Sequence, residues 1–185
     1  MKFKIGLPDF DPNFENNNSH WTKLNSITGS IIIGIVLGII LAFLLELLIK
    51  YFSLCSDFDF VVIRNIYLFI IIIPVHEMLH IALFPNSKNS IVGIALKKGI
   101  FYVTTKDSFT KNRFLVVLLF PLVILTIIPF ISLFFIKSDL LANVALYNLI
   151  GSGVDIVTFF HVLKLSSKHQ LRFNGTKLYS KPATI

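Results

Sequence analysis

The sequence is poor in charge and in cysteine, and both shortages restrict the class of protein. Charged residues make up only 15% of its 185 residues, against roughly 25% in an ordinary globular domain. A single cysteine, Cys55, excludes an intrachain disulfide. Hydrophobic residues make up 55% of the chain, the mean hydropathy is +0.78, and the Ile, Leu and Phe residues stand in long blocks. We therefore expect an integral membrane protein of one domain.

Four apolar blocks are long enough for membrane-spanning helices, which need about 20 mainly apolar residues. They cover residues 27–52, 61–84, 114–136 and 140–165. The blocks predict an all-α integral membrane protein with four transmembrane helices over residues 27–165. A polar N-terminal tail (residues 1–26) precedes this membrane domain, and a basic C-terminal tail (residues 166–185) follows it.

The loop over residues 86–113, between the second and third predicted spans, is too long for a simple connection. Within it, the apolar runs Ile91–Leu96 and Ile100–Thr104 flank Lys97-Lys98-Gly99. Runs of β-branched and aromatic residues around a glycine-containing turn are typical of a β-hairpin. We therefore expect a β-hairpin in this loop, on the cytoplasmic side of the membrane.

The positive charge is distributed unevenly between the connections. Of the 17 Lys and Arg residues, 14 lie in the N-terminal tail, in the loop over residues 86–113 or at the C-terminal end, and 3 lie in or beside the other two connections. Short loops rich in Lys and Arg stay in the cytoplasm. This pattern predicts a multi-pass cell-membrane protein with both termini cytoplasmic. Its expected partners are the lipid bilayer and a membrane protein or peptide substrate, and not nucleic acid.

One short segment, His76-Glu77-Met78-Leu79-His80, places three polar side chains inside the apolar second block. Polar side chains are costly in lipid unless they have a function. Two histidines four residues apart lie on the same face of a helix, about one turn apart. This HExxH pattern is typical of zinc hydrolases, in which the glutamate acts as general base. We therefore expect His76 and His80 to bind Zn²⁺ and Glu77 to be catalytic.

The third zinc ligand must lie elsewhere in the chain, because a catalytic zinc usually has three protein ligands. Glu77 is the last glutamate in the sequence, which excludes a downstream glutamate. Asp155 is the only acidic residue deep in the fourth predicted span, and helical rise places it at nearly the depth of His76. We expect Asp155 to be the third ligand. His161, nearer the cytoplasmic edge, is the alternative.

With these residues, the chain resembles the site-2-protease-like intramembrane zinc metalloproteases. It resembles more closely a small bacterial family described only as "putative zincin peptidases". The resemblance covers roughly residues 61–165, and its specific part is the HExxH helix. It implies that His76, His80 and Asp155 bind zinc and that Glu77 is the general base. It also implies a place near the substrate for Asn148, which matches the asparagine before the family's aspartate.

The sequence departs from the site-2-protease pattern at two positions close to the predicted third ligand. Gly151 stands where that pattern has proline, and Ile156 stands where it has glycine. These departures concern the segment around Asp155 and leave the HExxH helix unchanged.

These observations predict an intramembrane zinc metalloprotease that hydrolyses a membrane-embedded or membrane-adjacent substrate near the cytoplasmic face. An exposed hairpin edge would bind the unwound substrate by β-strand addition. The alternative is a non-catalytic membrane protein, such as a partner or immunity-type factor, in which a metal or polar cluster stabilises the helices. A metal transporter is a weaker alternative, because the spans offer few further polar residues to line a path.

Overall fold

The protein has a mixed α/β fold. A computed structural model describes residues 1–14, 20–55, 66–95 and 100–182. Its helices are α1 (Ile27–Tyr51), α2 (Ile66–Ala82), α3 (Lys111–Leu122), α4 (Ile128–Ser132), α5 (Asp139–Gly151) and α6 (Gly153–Leu163). A π-helical turn, Val123–Ile127, joins α3 to α4. A short 3₁₀ turn, Ser87–Asn89, follows α2.

The strands form two separate sheets. They are β1 (Lys2–Ile5), β2 (Thr22–Ser26), β3 (Ile91–Ala95), β4 (Ile100–Thr104), β5 (Phe109–Thr110), β6 (His169–Asn174) and β7 (Lys177–Pro182). The first sheet has the order β1-β3-β4, and the second has the order β2-β7-β6-β5. Both ends of the chain therefore contribute strands.

The prediction of an all-α protein with four membrane-spanning helices is wrong. Among the described residues, Ile31–Tyr51 and Lys111–Ser132 are long and apolar enough to cross a membrane, and α5 with α6 makes a third only if this bent pair is one span. Helix α2 has 17 described residues, fewer than the about 20 that a span needs. Residues 61–65 of the predicted second span lie outside the described part. Hydropathy measures how apolar a segment is, and it does not reveal where a helix begins, bends or ends.

The two strands of the predicted hairpin are confirmed. β3 pairs antiparallel with β4, with Ile91 opposite Thr104 and Ala95 opposite Ile100. The predicted turn, Lys97-Lys98-Gly99, and Leu96 at the end of the first predicted strand lie outside the described residues. The third strand of this sheet, β1, was not predicted, because it comes from the N-terminal segment and pairs in parallel with β3. Within the described residues, β4 forms one edge of the sheet.

Two apolar clusters hold the helices and sheets together. One joins α1 to α5 through side chains that include Ala42, Ile49, Ala145 and Leu146. The other joins α2, α3 and α6 to both sheets and includes Ile81, Phe109, Phe114, Val162 and Leu171. Burying such side chains stabilises each by roughly 1.5–3 kcal/mol relative to exposure. Together the clusters fix the positions of α2, α3, α5 and α6.

Helices α5 and α6 meet at an angle of 51° on either side of Ser152. Gly153 begins α6 and packs directly against α1, where a Cβ atom would lie only 1.9 Å from the carbonyl oxygen of Gly34. No larger residue fits at this close approach. This close contact with α1 fixes the position of the bend. The bend in turn sets the direction in which the first turn of α6 points.

Candidate metal centre

Helix α2 carries the HExxH segment on its side facing the protein interior. His76 and His80 are 7% and 6% exposed, and their ring centroids lie 4.8 Å apart. This arrangement follows from the helix repeat, because residues four apart lie one above the other on the same face. Asp155, in the first turn of α6, is half-buried and faces the two rings.

Three possible ligand atoms converge at this point. The Nε2 atom of His76 lies 3.0 Å from Oδ2 of Asp155 and 3.1 Å from Nε2 of His80. The Nε2 atom of His80 lies 3.4 Å from the same Oδ2. The structure thus brings together the three residues that the sequence predicts as ligands, and they form a group that could hold a metal ion.

Each imidazole is oriented by a hydrogen bond at its other nitrogen. The Nδ1 atom of His80 donates to the carbonyl oxygen of Val117 in α3, at 2.8 Å. The Nδ1 atom of His76 lies 2.8 Å from Oδ1 of Asn148 in α5. Such partners fix the tautomer of a metal-binding histidine. With the protons on Nδ1, both Nε2 lone pairs point towards Asp155.

This donor set fits a zinc ion. A tetrahedral zinc with ligands at about 2.0–2.2 Å requires neighbouring ligand atoms to be about 3.3–3.5 Å apart. The separations of 3.0, 3.1 and 3.4 Å between His76, His80 and Asp155 are close to this spacing. Two imidazoles and one carboxylate are also ligand types that suit zinc, and three protein ligands leave one position open.

Glu77 lines the same cavity as the three possible ligands but is not one of the group that could hold a metal ion. Its Oε2 atom accepts a hydrogen bond of 3.1 Å from the backbone N–H of Val103 in β4. A carboxylate beside the ligands and outside the ligand set is the arrangement expected of a general base. The same hydrogen bond places the edge strand β4 next to the site.

A cavity of about 450 Å³ opens onto His76, Glu77, His80 and Asp155. The rest of its wall is mainly apolar and includes Leu7, Phe69, Phe101, Val103, Phe114 and Leu118. Tyr102 also lines it and donates a hydrogen bond of 2.9 Å to the carbonyl oxygen of Gly6. Burial raises the pKa of the Tyr102 phenol, which therefore stays a neutral donor. A mainly apolar cavity with a few convergent polar groups is typical of a ligand site.

The other two candidate residues occupy different environments. His161 is exposed and is not a member of the group that could hold a metal among the described residues. Asn148 is buried, with 1% exposure, and its side chain contacts His76 and three neighbouring acceptors. Its predicted role near the substrate stays a prediction.

Sequence reasoning missed several polar groups that support the site. The carbonyl oxygens of Val117 and Pro121 accept hydrogen bonds from His80 and Asn148, and backbone acceptors have no signature in a sequence. Thr126 and Ser152 also contact Asn148. A single polar residue among apolar neighbours, as at Thr126, was the one available signal.

Comparison with known proteins gave one match. The family model described as "Putative zincin peptidase" matches residues 69–169, which include the HExxH segment, Asn148 and Asp155. Neither the curated proteins nor the solved structures gave a match. Because the match covers more than half of the chain, the protein belongs to this family and is, at that level of description, a metallopeptidase.

Proposed function

We propose that the protein is an intramembrane zinc metallopeptidase that hydrolyses peptide bonds of a membrane-embedded or membrane-adjacent substrate near the cytoplasmic face. The observation that carries the proposal is the convergence of two imidazole Nε2 atoms and one carboxylate oxygen within 3.0–3.4 Å of one another. With the imidazole protons on Nδ1, the Nε2 lone pairs of both histidines and an oxygen lone pair of Asp155 face the same point. A cation bound at that point would interact favourably with all three atoms.

In this proposal, His76, His80 and Asp155 hold the zinc ion. When bound, zinc polarises the scissile carbonyl and lowers the pKa of water towards 7. The Glu77 carboxylate takes a proton from the attacking water and passes it to the nitrogen of the leaving amine. The apolar wall of the cavity excludes bulk water, which strengthens these electrostatic interactions.

A membrane location is supported by the apolar surface of α1. Many of its large side chains are more than 40% exposed, among them Ile32, Ile33, Ile39, Phe43 and Leu44. An exposed apolar surface of this kind marks a membrane or protein contact. Together with Lys111–Ser132, α1 supplies two helices able to cross a bilayer. We retain from the loop charges the proposal of a multi-pass protein with cytoplasmic termini.

The edge of β4 that faces Glu77 is the proposed binding site for the substrate backbone. Val103 directs its N–H away from β3 and towards Glu77, and the alternation of an antiparallel ladder directs the N–H of Phe101 to the same edge. Both residues line the cavity. An extended peptide paired with this edge would pass beside the proposed general base.

Replacing Phe101 by proline tests the proposed edge pairing. Proline removes the N–H at the edge facing Glu77, whereas the N–H of Tyr102, which faces β3, remains. We expect hydrolysis to fall about tenfold or more with zinc content unchanged. Phe101→Ala is the matched control, because it removes the aromatic ring and keeps the N–H. Equal hydrolysis by the two variants would rule out pairing through this edge.

The proposed function is tested on the purified full chain in detergent. We expect one zinc ion per chain by elemental analysis and hydrolysis of apolar peptides derived from membrane helices. A chelator should abolish hydrolysis, and added zinc should restore it. A chain that binds no zinc at micromolar concentrations of the ion would refute the proposal.

A further inference from the structure

We propose that Asn148 is a positioning residue that holds His76 in its zinc-binding tautomer, and that the π-helical turn Val123–Ile127 holds Asn148 in turn. The inference rests on the proposed function, because it concerns a ligand of the proposed zinc site. It assigns Asn148 a role towards His76 that differs from the predicted contact with substrate.

The orientation of the Asn148 amide is determined by its surroundings. Its Nδ2 atom lies 3.1 Å from the carbonyl oxygen of Pro121, 2.9 Å from Oγ1 of Thr126 and 3.2 Å from Oγ of Ser152. The carbonyl oxygen can only accept a hydrogen bond, so it requires the NH₂ group on this side. The amide oxygen Oδ1 therefore faces His76.

The amide orientation fixes the protonation of His76. Because Oδ1 of Asn148 cannot donate, the Nδ1 atom of His76, 2.8 Å away, must carry the proton. In the neutral imidazole, Nε2 then has a free lone pair, which points towards Asp155 and His80. The opposite tautomer would place two acceptors against each other at Asn148 and a proton where the metal would bind.

The π-helical turn supplies one of the three acceptors, the hydroxyl of Thr126, and the last turn of α3 supplies another. In such a turn the hydrogen bonds span five residues, as from the N–H of Ile128 to the carbonyl oxygen of Val123. Thr126 is its buried residue, and its hydroxyl donates to the carbonyl oxygen of Ala145 at 3.2 Å. Since that proton is used, the Thr126 oxygen accepts from Asn148. The carbonyl of Pro121, in the last turn of α3 just before the π-helical turn, accepts from the same amide.

The two histidines differ in how their tautomers are set. The Nδ1 atom of His80 donates to the backbone carbonyl of Val117, which no side-chain substitution removes. The Nδ1 atom of His76 depends on the side chain of Asn148. A substitution at Asn148 or Thr126 therefore acts on one ligand and leaves the other in place.

Asn148→Leu keeps the number of heavy atoms and the branching at Cγ of the native side chain and removes both hydrogen-bonding groups. We expect zinc affinity to fall about 10–100-fold, the usual cost of losing a group that orients a ligand. Thr126→Val should reduce affinity less, because Pro121 and Ser152 still hold the amide. Thr126→Ser keeps the hydroxyl and should bind zinc like the wild type. A side chain that contacts only substrate would leave zinc affinity unchanged.

The measurement is competition for zinc with a chromophoric chelator, on the purified full chain, with the visible spectrum of bound Co²⁺ as a second readout of ligand geometry. Thr158→Val is the matched control, because the Thr158 hydroxyl donates only within its own helix, to the carbonyl oxygen of Val154. If Asn148→Leu does not fold, the comparison of Thr126→Val with Thr126→Ser decides. If Thr126→Val and every folded Asn148 variant bind zinc with the affinity of the wild type, the inference is overturned. A wild-type protein that binds no zinc refutes the proposed function itself.

Discussion

Replacing Glu77 by glutamine is expected to abolish peptide hydrolysis while zinc stays bound. The amide keeps the size of the side chain and can still accept the hydrogen bond from the N–H of Val103, but it cannot take a proton from water. General bases contribute typically about 10²–10⁴-fold to a rate. We therefore expect turnover to fall at least about 100-fold, measured with an apolar peptide substrate alongside elemental analysis for zinc.

The matched control is Glu46→Gln. Glu46 lies in α1 and pairs with Lys50 at 3.0 Å, outside the candidate metal centre, so its amide variant should hydrolyse the peptide at the wild-type rate. The non-catalytic alternative makes the opposite prediction for Glu77. If Glu77→Gln and His76→Ala lose stability equally and share every other defect, the polar group is structural and the proposed enzyme is wrong.

The convergence of His76, His80 and Asp155 could be predicted, because the two histidines carry a local signal and the aspartate could be found by elimination. The spacing of His76 and His80 follows from the helix repeat alone. The third position follows from what the chain lacks, since no glutamate follows Glu77 and Asp155 is the acidic residue at matching depth. Neither the spacing of the histidines nor the choice of Asp155 depends on how the strands pair.

The fold was harder to predict, because its sheets depend on pairing between distant segments. β2 pairs with β7 at the other end of the chain, with Thr22 opposite Ser180. β1 pairs in parallel with β3, with Lys2 opposite Ile91. Neither strand has a long apolar run, so a hydropathy pattern assigns both to polar tails. The hairpin could be predicted because its two strands, β3 and β4, are close in sequence.

The bend between α5 and α6 explains how one ring is held from both sides. Asn148 and Asp155 are seven residues apart, which is about 10 Å along a straight helix. Yet Asn148 contacts Nδ1 of His76 and Asp155 contacts Nε2 of the same ring. The 51° turn around Ser152 brings the two side chains together, and no periodicity in the sequence predicts it.

Replacing Asp155 by alanine is expected to cause the largest loss of zinc affinity. The change removes the one carboxylate among three proposed ligands, leaving two neutral imidazoles, and a zinc site with two protein ligands is not a usual catalytic site. The loss should exceed the about 10–100-fold that is typical of substitutions around a ligand set. Competition with a chelator measures it directly, and hydrolysis should disappear with the metal.

Asp139→Ala is the control for this change, because Asp139 lies in the exposed first turn of α5 and outside the group that could hold a metal. It should bind zinc as the wild type does. His161, the alternative third ligand, provides the competing outcome. If His161→Ala loses zinc while Asp155→Ala retains it, the third ligand is assigned to the wrong residue. The contacts of 3.0 Å and 3.4 Å between Asp155 and the two histidines would then be structural only.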